Sequence, residues 1–242
     1  MARNVRTYDH FCMLARALEL VGDRWSLLVI RDLLSGAKRF TDLHDRLGGI
    51  TPKTLTVRLR ELEDAGVLTA DRQPGRREVW YRLTPSGAEL APALDALSWW
   101  GQRHAARPPR PGERLHAEHL LRAITLAIEH TEQDPSPACW ELHLDGGGIY
   151  RVACDGARWS LTSLDDPAAP PSDRSPDLIL RADAAAFPPF MLDPSRAAEL
   201  GVELDGDPEA LDRFTRLVGA FGQSIQQQDD TTDPQIEPNG LT

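Results

Sequence analysis

Thr51-Pro52-Lys53-Thr54-Leu55-Thr56-Val57-Arg58-Leu59-Arg60-Glu61-Leu62-Glu63-Asp64-Ala65-Gly66 reads as a helix with both ends marked. Thr51 is suited to accept from the free N–H groups of the first turn. Pro52 sits at the first helical position, where its missing N–H costs nothing. Gly66 suits the left-handed residue that closes a helix. Leu55, Leu59 and Leu62 recur on one face and should pack inward. Lys53, Thr56, Val57 and Arg60 fall on the opposite side, with Thr54 and Arg58 on the flanks. Glu61 and Asp64 lie toward the far end. The first half therefore joins basic side chains to the positive end of the helix dipole, a combination that favours phosphate. An ordinary surface helix can show the same composition, so its neighbours decide.

Upstream, Phe11, Leu14, Leu18 and Val21 form one apolar stripe that ends at Gly22. Trp25 to Leu34 is apolar almost all round, as a central buried helix is. A short amphipathic helix is expected from about Arg39 to Leu47, before the turn Gly48-Gly49. Downstream, Val67–Arg72 and Glu78–Thr84 read as two strands around Gln73-Pro74-Gly75-Arg76-Arg77. Thr84-Pro85 repeats the cap-and-proline start and opens a last helix, in which Pro92 is a kink or a restart. Three helices, a hairpin and a further helix in this order predict a winged helix-turn-helix. In that fold the N-terminal part of the recognition helix meets base edges. Candidate DNA contacts are Lys53, Thr54, Thr56, Val57, Arg58 and Arg60, with Arg39 before the helix. Arg76 and Arg77 at the hairpin tip are suited to the phosphate backbone or minor groove. A solvated turn also carries arginine, so the helix and hairpin together are the signal.

The whole chain of 242 residues carries a net charge of −10, which alone argues against nucleic acid. The charge is uneven, however. Residues 1–110 hold 18 basic and 13 acidic side chains, a net of +5, and residues 111–242 hold 9 and 24, a net of −15. That asymmetry suits a nucleic-acid module joined to an acidic domain. Ala105-Ala106-Arg107-Pro108-Pro109-Arg110-Pro111-Gly112 reads as an extended linker. The expected organisation is a first domain over 1–104, this linker, a second domain over 113–225, and a disordered tail over 226–242, which is polar and almost free of apolar residues. No run is long and apolar enough for a membrane span or a signal peptide, so a cytoplasmic protein without a membrane partner is expected. Cys12, Cys139 and Cys154 are too few and too far apart for a disulfide framework or a zinc site.

The run from Leu18-Glu19-Leu20-Val21-Gly22-Asp23-Arg24-Trp25, through Gly36-Ala37-Lys38-Arg39-Phe40-Thr41-Asp42-Leu43 and Gly49-Ile50-Thr51-Pro52-Lys53-Thr54-Leu55, to Tyr81-Arg82-Leu83-Thr84, resembles the HxlR-type (DUF24) bacterial regulators. These fall within the MarR-like winged-helix group, and the resemblance covers about residues 9–104. It implies a homodimer built on the first and last helices, with each protomer reading half of a pseudo-palindrome in double-stranded DNA. Trp99 and Trp100 suit that contact or plain core packing. Some members of the family sense oxidants through a cysteine in the first helix, which makes Cys12 a redox candidate. Here Met13 follows it where members often have proline, and an inert packing role is the alternative.

In the second domain a helix is expected over 113–131, then strands at Cys139–Leu144, Ile149–Cys154, Ala157–Leu164 and Asp177–Ala182. A further strand from Val202 leads into a last helix. His116 and His119 stand three apart, but no further ligand is evident and no metal site is expected. Pro176-Asp177-Leu178-Ile179-Leu180-Arg181-Ala182-Asp183, Met191-Leu192-Asp193-Pro194 and Gly201-Val202-Glu203-Leu204-Asp205-Gly206-Asp207-Pro208-Glu209-Ala210-Leu211 resemble the sterol-carrier-protein-2 (SCP2) family. That resemblance implies a sheet and helices around an apolar cavity. Trp140, Tyr150, Trp159, Phe187 and Phe190 are the aromatics that could line it, or simply form core. No catalytic constellation or cofactor motif stands out, so neither an enzyme nor a cofactor is expected. The expected whole is an α+β protein: a winged-helix regulator with a small hydrophobic effector bound behind it. A purely structural second domain is one alternative. A hydrophobic-ligand carrier whose first domain binds a protein partner is the other.

Overall fold

The computed structural model describes residues 7–72, 78–107, 109–110, 112–113, 115–132, 135–165 and 174–229. The chain divides into two compact units, Met1–Ala96 and Leu97–Thr242. The division falls earlier than the proline-rich segment, where composition placed it.

In the first unit, α1 spans Met13–Val21 and α2 Ser26–Leu33. A two-residue strand β1 (Lys38–Arg39) leads into α3 (Phe40–Leu47). Then come α4 (Pro52–Asp64), β2 (Leu68–Arg72) and β3 (Val79–Leu83). α5 (Pro85–Ala88) is a single turn, and the helix restarts as α6 (Ala91–His104), with Pro92 in its first turn. The three strands form one antiparallel sheet in the order β1-β3-β2.

The marked helix forms for the reasons its ends suggest. Thr51 Oγ1 accepts from the Thr54 N–H at 3.1 Å. At the other end Gly66 takes φ +72°, the Gly66 N–H donates to the Glu63 carbonyl, and the Val67 N–H donates to the Leu62 carbonyl. This pair of bonds satisfies carbonyls that the helix end would leave open. Leu55, Leu59 and Leu62 are buried among Val29, Ile30, Leu33, Leu43 and Leu68. The inward face of the helix is thereby held in the core.

Two features of the first unit were not legible in the sequence. Asp32, inside the apolar α2, is fully buried. Its carboxylate meets Arg31 at 3.1 Å and Arg46 of α3 at 3.8 Å. The apolar stripe that runs from Phe11 along α1, in contrast, is not covered by the described residues. Phe11 is 86% exposed and Leu14 68% exposed, and among that stripe only Val21 is buried.

The second unit opens with α7 (Ala117–Thr131), followed by β4 (Ala138–Asp145), β5 (Gly148–Cys154) and β6 (Trp159–Ser163). β7 (Leu178–Asp183), α8 (Phe187–Leu192), a 3-10 turn at Pro194–Arg196, α9 (Ala197–Leu200), β8 (Glu203–Gly206) and α10 (Pro208–Asp229) complete it. The five strands lie in the order β6-β5-β4-β7-β8, with β4 and β7 parallel and the other pairs antiparallel. One face of the sheet alternates buried residues toward α7, α8 and α10, as a half-covered sheet requires. α10 continues through Gln226 to Asp229, so the last helix extends into the stretch read as tail.

Candidate nucleic-acid interface

On α4, Lys53, Val57 and Arg60 are exposed, at spacings of four and three that place them on one stripe. Lys53 and Arg60 have no ion pair among the described residues. Thr56 is half-buried between them, and its hydroxyl donates back to the Pro52 carbonyl at 2.8 Å, which leaves its lone pairs to accept. Thr54 Oγ1 lies 2.8 Å from Thr51 Oγ1, so this threonine is part of the helix start.

Arg58 and Arg39 sit differently from what charge and position alone suggested. Arg58 Nη1 lies 2.6 Å from Glu61 and 3.3 Å from Asp23, so its charge is largely spent within the protein, tying α4 to the turn before α2. Arg39 donates through Nε and Nη2 to Asp42 and through Nη1 to Glu78, and its guanidinium lies over the Trp80 ring. Its pKa is raised, first by the Asp42 hydrogen bond. Burial acts to raise Asp42, but the bonds from Arg39 outweigh it and hold that carboxyl below its usual value. Arg39 thus joins α3 to the sheet, a role that needed Glu78 to be visible 39 positions away.

Arg76 and Arg77 lie outside the described residues. The two strands that lead to them pair antiparallel up to Arg72 opposite Val79. Arg72 also grips Glu63 of α4 with two bonds of 2.6 and 2.7 Å. That grip fixes the base of the hairpin to the end of the recognition helix. It also holds the Glu63 carboxyl below its usual value.

Elsewhere, Cys12 is the half-buried residue preceding α1 rather than a member of the helix. Trp99 packs against the core of the second unit and stacks on His130 at 4.4 Å, whereas Trp100 is exposed beside His104. His116 and His119 meet edge to face, and no group of three or more His, Cys, Asp or Glu among the described residues could hold a metal. Trp140, Tyr150, Trp159, Phe187 and Phe190 are all buried in one core cluster. Trp140 packs edge-on against Phe214, and the Trp159 indole donates to Glu132. A cleft does occur in this unit, lined by other residues, including Leu120, Leu192 and Phe221. Among the described residues no helix is long and apolar enough to cross a membrane.

Three helices, a hairpin anchored to the third of the buried set, and a basic stripe on that helix define a winged helix-turn-helix DNA-binding protein. Residues 20–108 match the model of the HxlR-like helix-turn-helix family. An uncharacterised HTH-type transcriptional regulator of Mycobacterium tuberculosis (strain H37Rv) is 41% identical over 132 residues, covering 50% of this chain and 82% of the relative. One from Methanothermobacter thermautotrophicus is 34% identical over 107 residues, covering 44% of this chain and 82% of the relative. Among solved structures, the reduced form of the transcriptional regulator YodB from B. subtilis is 29% identical with a TM-score of 0.36, covering 43% of this chain and all of that one. The chain belongs to the HxlR-like helix-turn-helix family and is a DNA-binding transcriptional regulator of that type.

Proposed function

We propose that this regulator acts as a homodimer that reads a pseudo-palindromic operator in double-stranded DNA and responds to a small hydrophobic effector held by its second unit. The observation that carries the DNA-reading part is the exposed basic stripe of Lys53 and Arg60 on α4, without an ion pair among the described residues, with Thr56 and Val57 between them. Lys53, Thr54, Thr56 and Val57 are the base-reading set, and Arg60 with the hairpin arginines Arg76 and Arg77 supplies backbone contacts. The uncovered apolar residues of α1, with Phe11 just before it, support the dimer. Phe11, Met13, Leu14 and Leu18 make a face that a monomer would leave to water. On α6, Leu97 and Trp100 are also exposed.

The SCP2-like reading of the second unit is supported by its mixed five-stranded sheet with helices packed on one side. Cys12 remains a candidate for oxidant sensing, and a Cys12→Ser variant with unchanged DNA affinity after oxidant treatment would end that idea. The central test is fluorescence anisotropy with the DNA upstream of the protein's own gene, at rising salt. Affinity should fall steeply with salt, because neutralised phosphates release counterions. Leu14→Glu combined with Leu18→Glu should yield a monomer by light scattering, with weakened operator binding. Salt-independent binding, or a monomeric wild-type chain that still binds a palindrome tightly, contradicts the proposal.

A further inference from the structure

The second unit holds a cleft of about 320 Å³. Leu120 of α7, Leu192 of α8 and Phe221 of α10 line it, and so do Ala106 and Leu115 of the segment that leaves α6. Its volume lies at the small end of the range of about 300–1,000 Å³ for small-molecule sites. That admits one compact molecule and is too small for a helix or a folded partner. Leu115 is 48% exposed although it lines the cleft, so an apolar occupant would remove further apolar surface from water.

The charged lining residues cancel one another. Arg107 Nη1 donates to Glu113 Oε2 at 2.9 Å, a second guanidinium–carboxylate bond runs beside it, and the Arg110 N–H donates to the same Oε2 at 2.9 Å. These bonds hold the Glu113 carboxyl down to about 2, so the pair stays ionised at neutral pH. With these two charges satisfied by one another, the lining presents a ligand with mainly apolar side chains and no counter-charge dedicated to a charged head. The −15 charge of residues 111–242 further opposes an anion.

We infer that this cleft is the effector site, that it takes an uncharged apolar small molecule, and that the bound molecule acts by fixing the path of the segment continuing α6. This inference rests on the effector reading above. α6 begins at Ala91, in the first unit, and ends at His104; Ala105, Ala106 and Arg107, which follow it directly, line the cleft. A molecule seated against them favours one course of the chain as it leaves that helix. It shifts DNA affinity by its preference for that course, and bound DNA shifts its affinity by the same factor.

The test uses the full chain and the uncharged dye N-phenylnaphthylamine, which brightens in apolar surroundings. Saturable uptake of one dye per chain is expected. Leu115→Arg, at a half-exposed position, should weaken uptake by about ten-fold or more with an unchanged thermal midpoint, because it sets an unpaired charge in the lining. Ala106→Trp should cause a similar loss by filling the space. The dye should change the DNA affinity of the wild type but of neither variant. Unsaturable uptake, or uptake that both substitutions leave unchanged, overturns the site. An equal dye effect on DNA affinity in wild type and variants overturns the coupling. A chain that binds no DNA under any condition fails the regulator reading instead, while the dye titration still reports on the cleft.

Discussion

Thr84 Oγ1 donates to the Gly66 carbonyl oxygen at 2.6 Å, and this Thr84 hydroxyl oxygen in turn accepts from the Gly87 N–H at 3.1 Å. One hydroxyl therefore closes the end of the recognition helix and starts the helical turn after the hairpin. Replacing it by a methyl group removes a cap and leaves a carbonyl and an N–H without that partner. Thr84→Ala should lower stability by about 1–2 kcal/mol. Thr84→Ser should retain most of it. Chemical denaturation of the three proteins distinguishes these outcomes, and equal midpoints would refute the assignment.

Charge on α4 should divide by partnership rather than by sequence position. Arg60 has no ion pair among the described residues, whereas Arg58 is held by Glu61 and Asp23. Arg60→Ala should reduce the slope of log affinity against log salt by about 1, the loss of one phosphate contact. Arg58→Ala should leave that slope nearly unchanged and instead lower the denaturation midpoint. Lys53→Ala and Thr56→Ala should alter preference among operator variants. Paired replacement of Arg76 and Arg77 should weaken all sequences alike. A slope that falls equally in the Arg58 and Arg60 variants would contradict this division.

Removing a single buried carboxylate should do more damage than removing any surface charge. Asp32→Ala strands Arg31 and Arg46 beside an apolar core, and breaking a buried ionic cluster in this way costs about 3–5 kcal/mol. The first unit should unfold at markedly lower denaturant while the far-ultraviolet signal of the second persists. A loss below about 1 kcal/mol would show that the cluster is dispensable.

Acid should loosen the hairpin's anchor. Glu63 has a folded pKa held below its ordinary value of 4.5 by Arg72. Its contribution to stability is therefore full above about 4.5 and is lost as pH falls through the lower folded value. Glu63→Gln should be less stable than wild type at neutral pH and should lose less on acidification below pH 4.5. Parallel stability–pH curves for the two proteins would exclude this linkage.

The recognition helix was legible because its determinants are local: a threonine, a proline, a glycine and three leucines at helical spacing. The strands that follow one another across a short turn, β2 with β3 and β4 with β5 and β6, were legible for the same reason, since alternation and turn residues sit side by side in the chain; the parallel pairing of β4 with β7 joins segments far apart and was not. What escaped depended on partners far away in sequence. β1 is two residues long and exists only through its register with Trp80 and Tyr81. Arg39 looked like a free cation until Glu78 was brought against it. Asp32 was lost in an apolar run because Arg46 lies fourteen positions on. The stripe of α1 was correctly apolar, but periodicity names a face without saying what covers it. In the second unit, the large aromatics left cavity walls and plain core both open, and they are buried in the core cluster. Size alone cannot separate a wall from a filled core, and the residues that line the cleft are smaller and mostly aliphatic.

Gly87 carries a constraint of another kind. A Cβ placed there would stand 2.0 Å from the Val67 carbonyl oxygen, a backbone atom that cannot swing aside. In a library of every single substitution, selected only for accumulation of folded protein in cells, position 87 should therefore hold glycine alone. Lys53 and Val57 should tolerate nearly every residue under that selection. They should become restricted only when survival depends on operator occupancy. The two screens, overlaid, would separate the columns that build this regulator from those that read DNA.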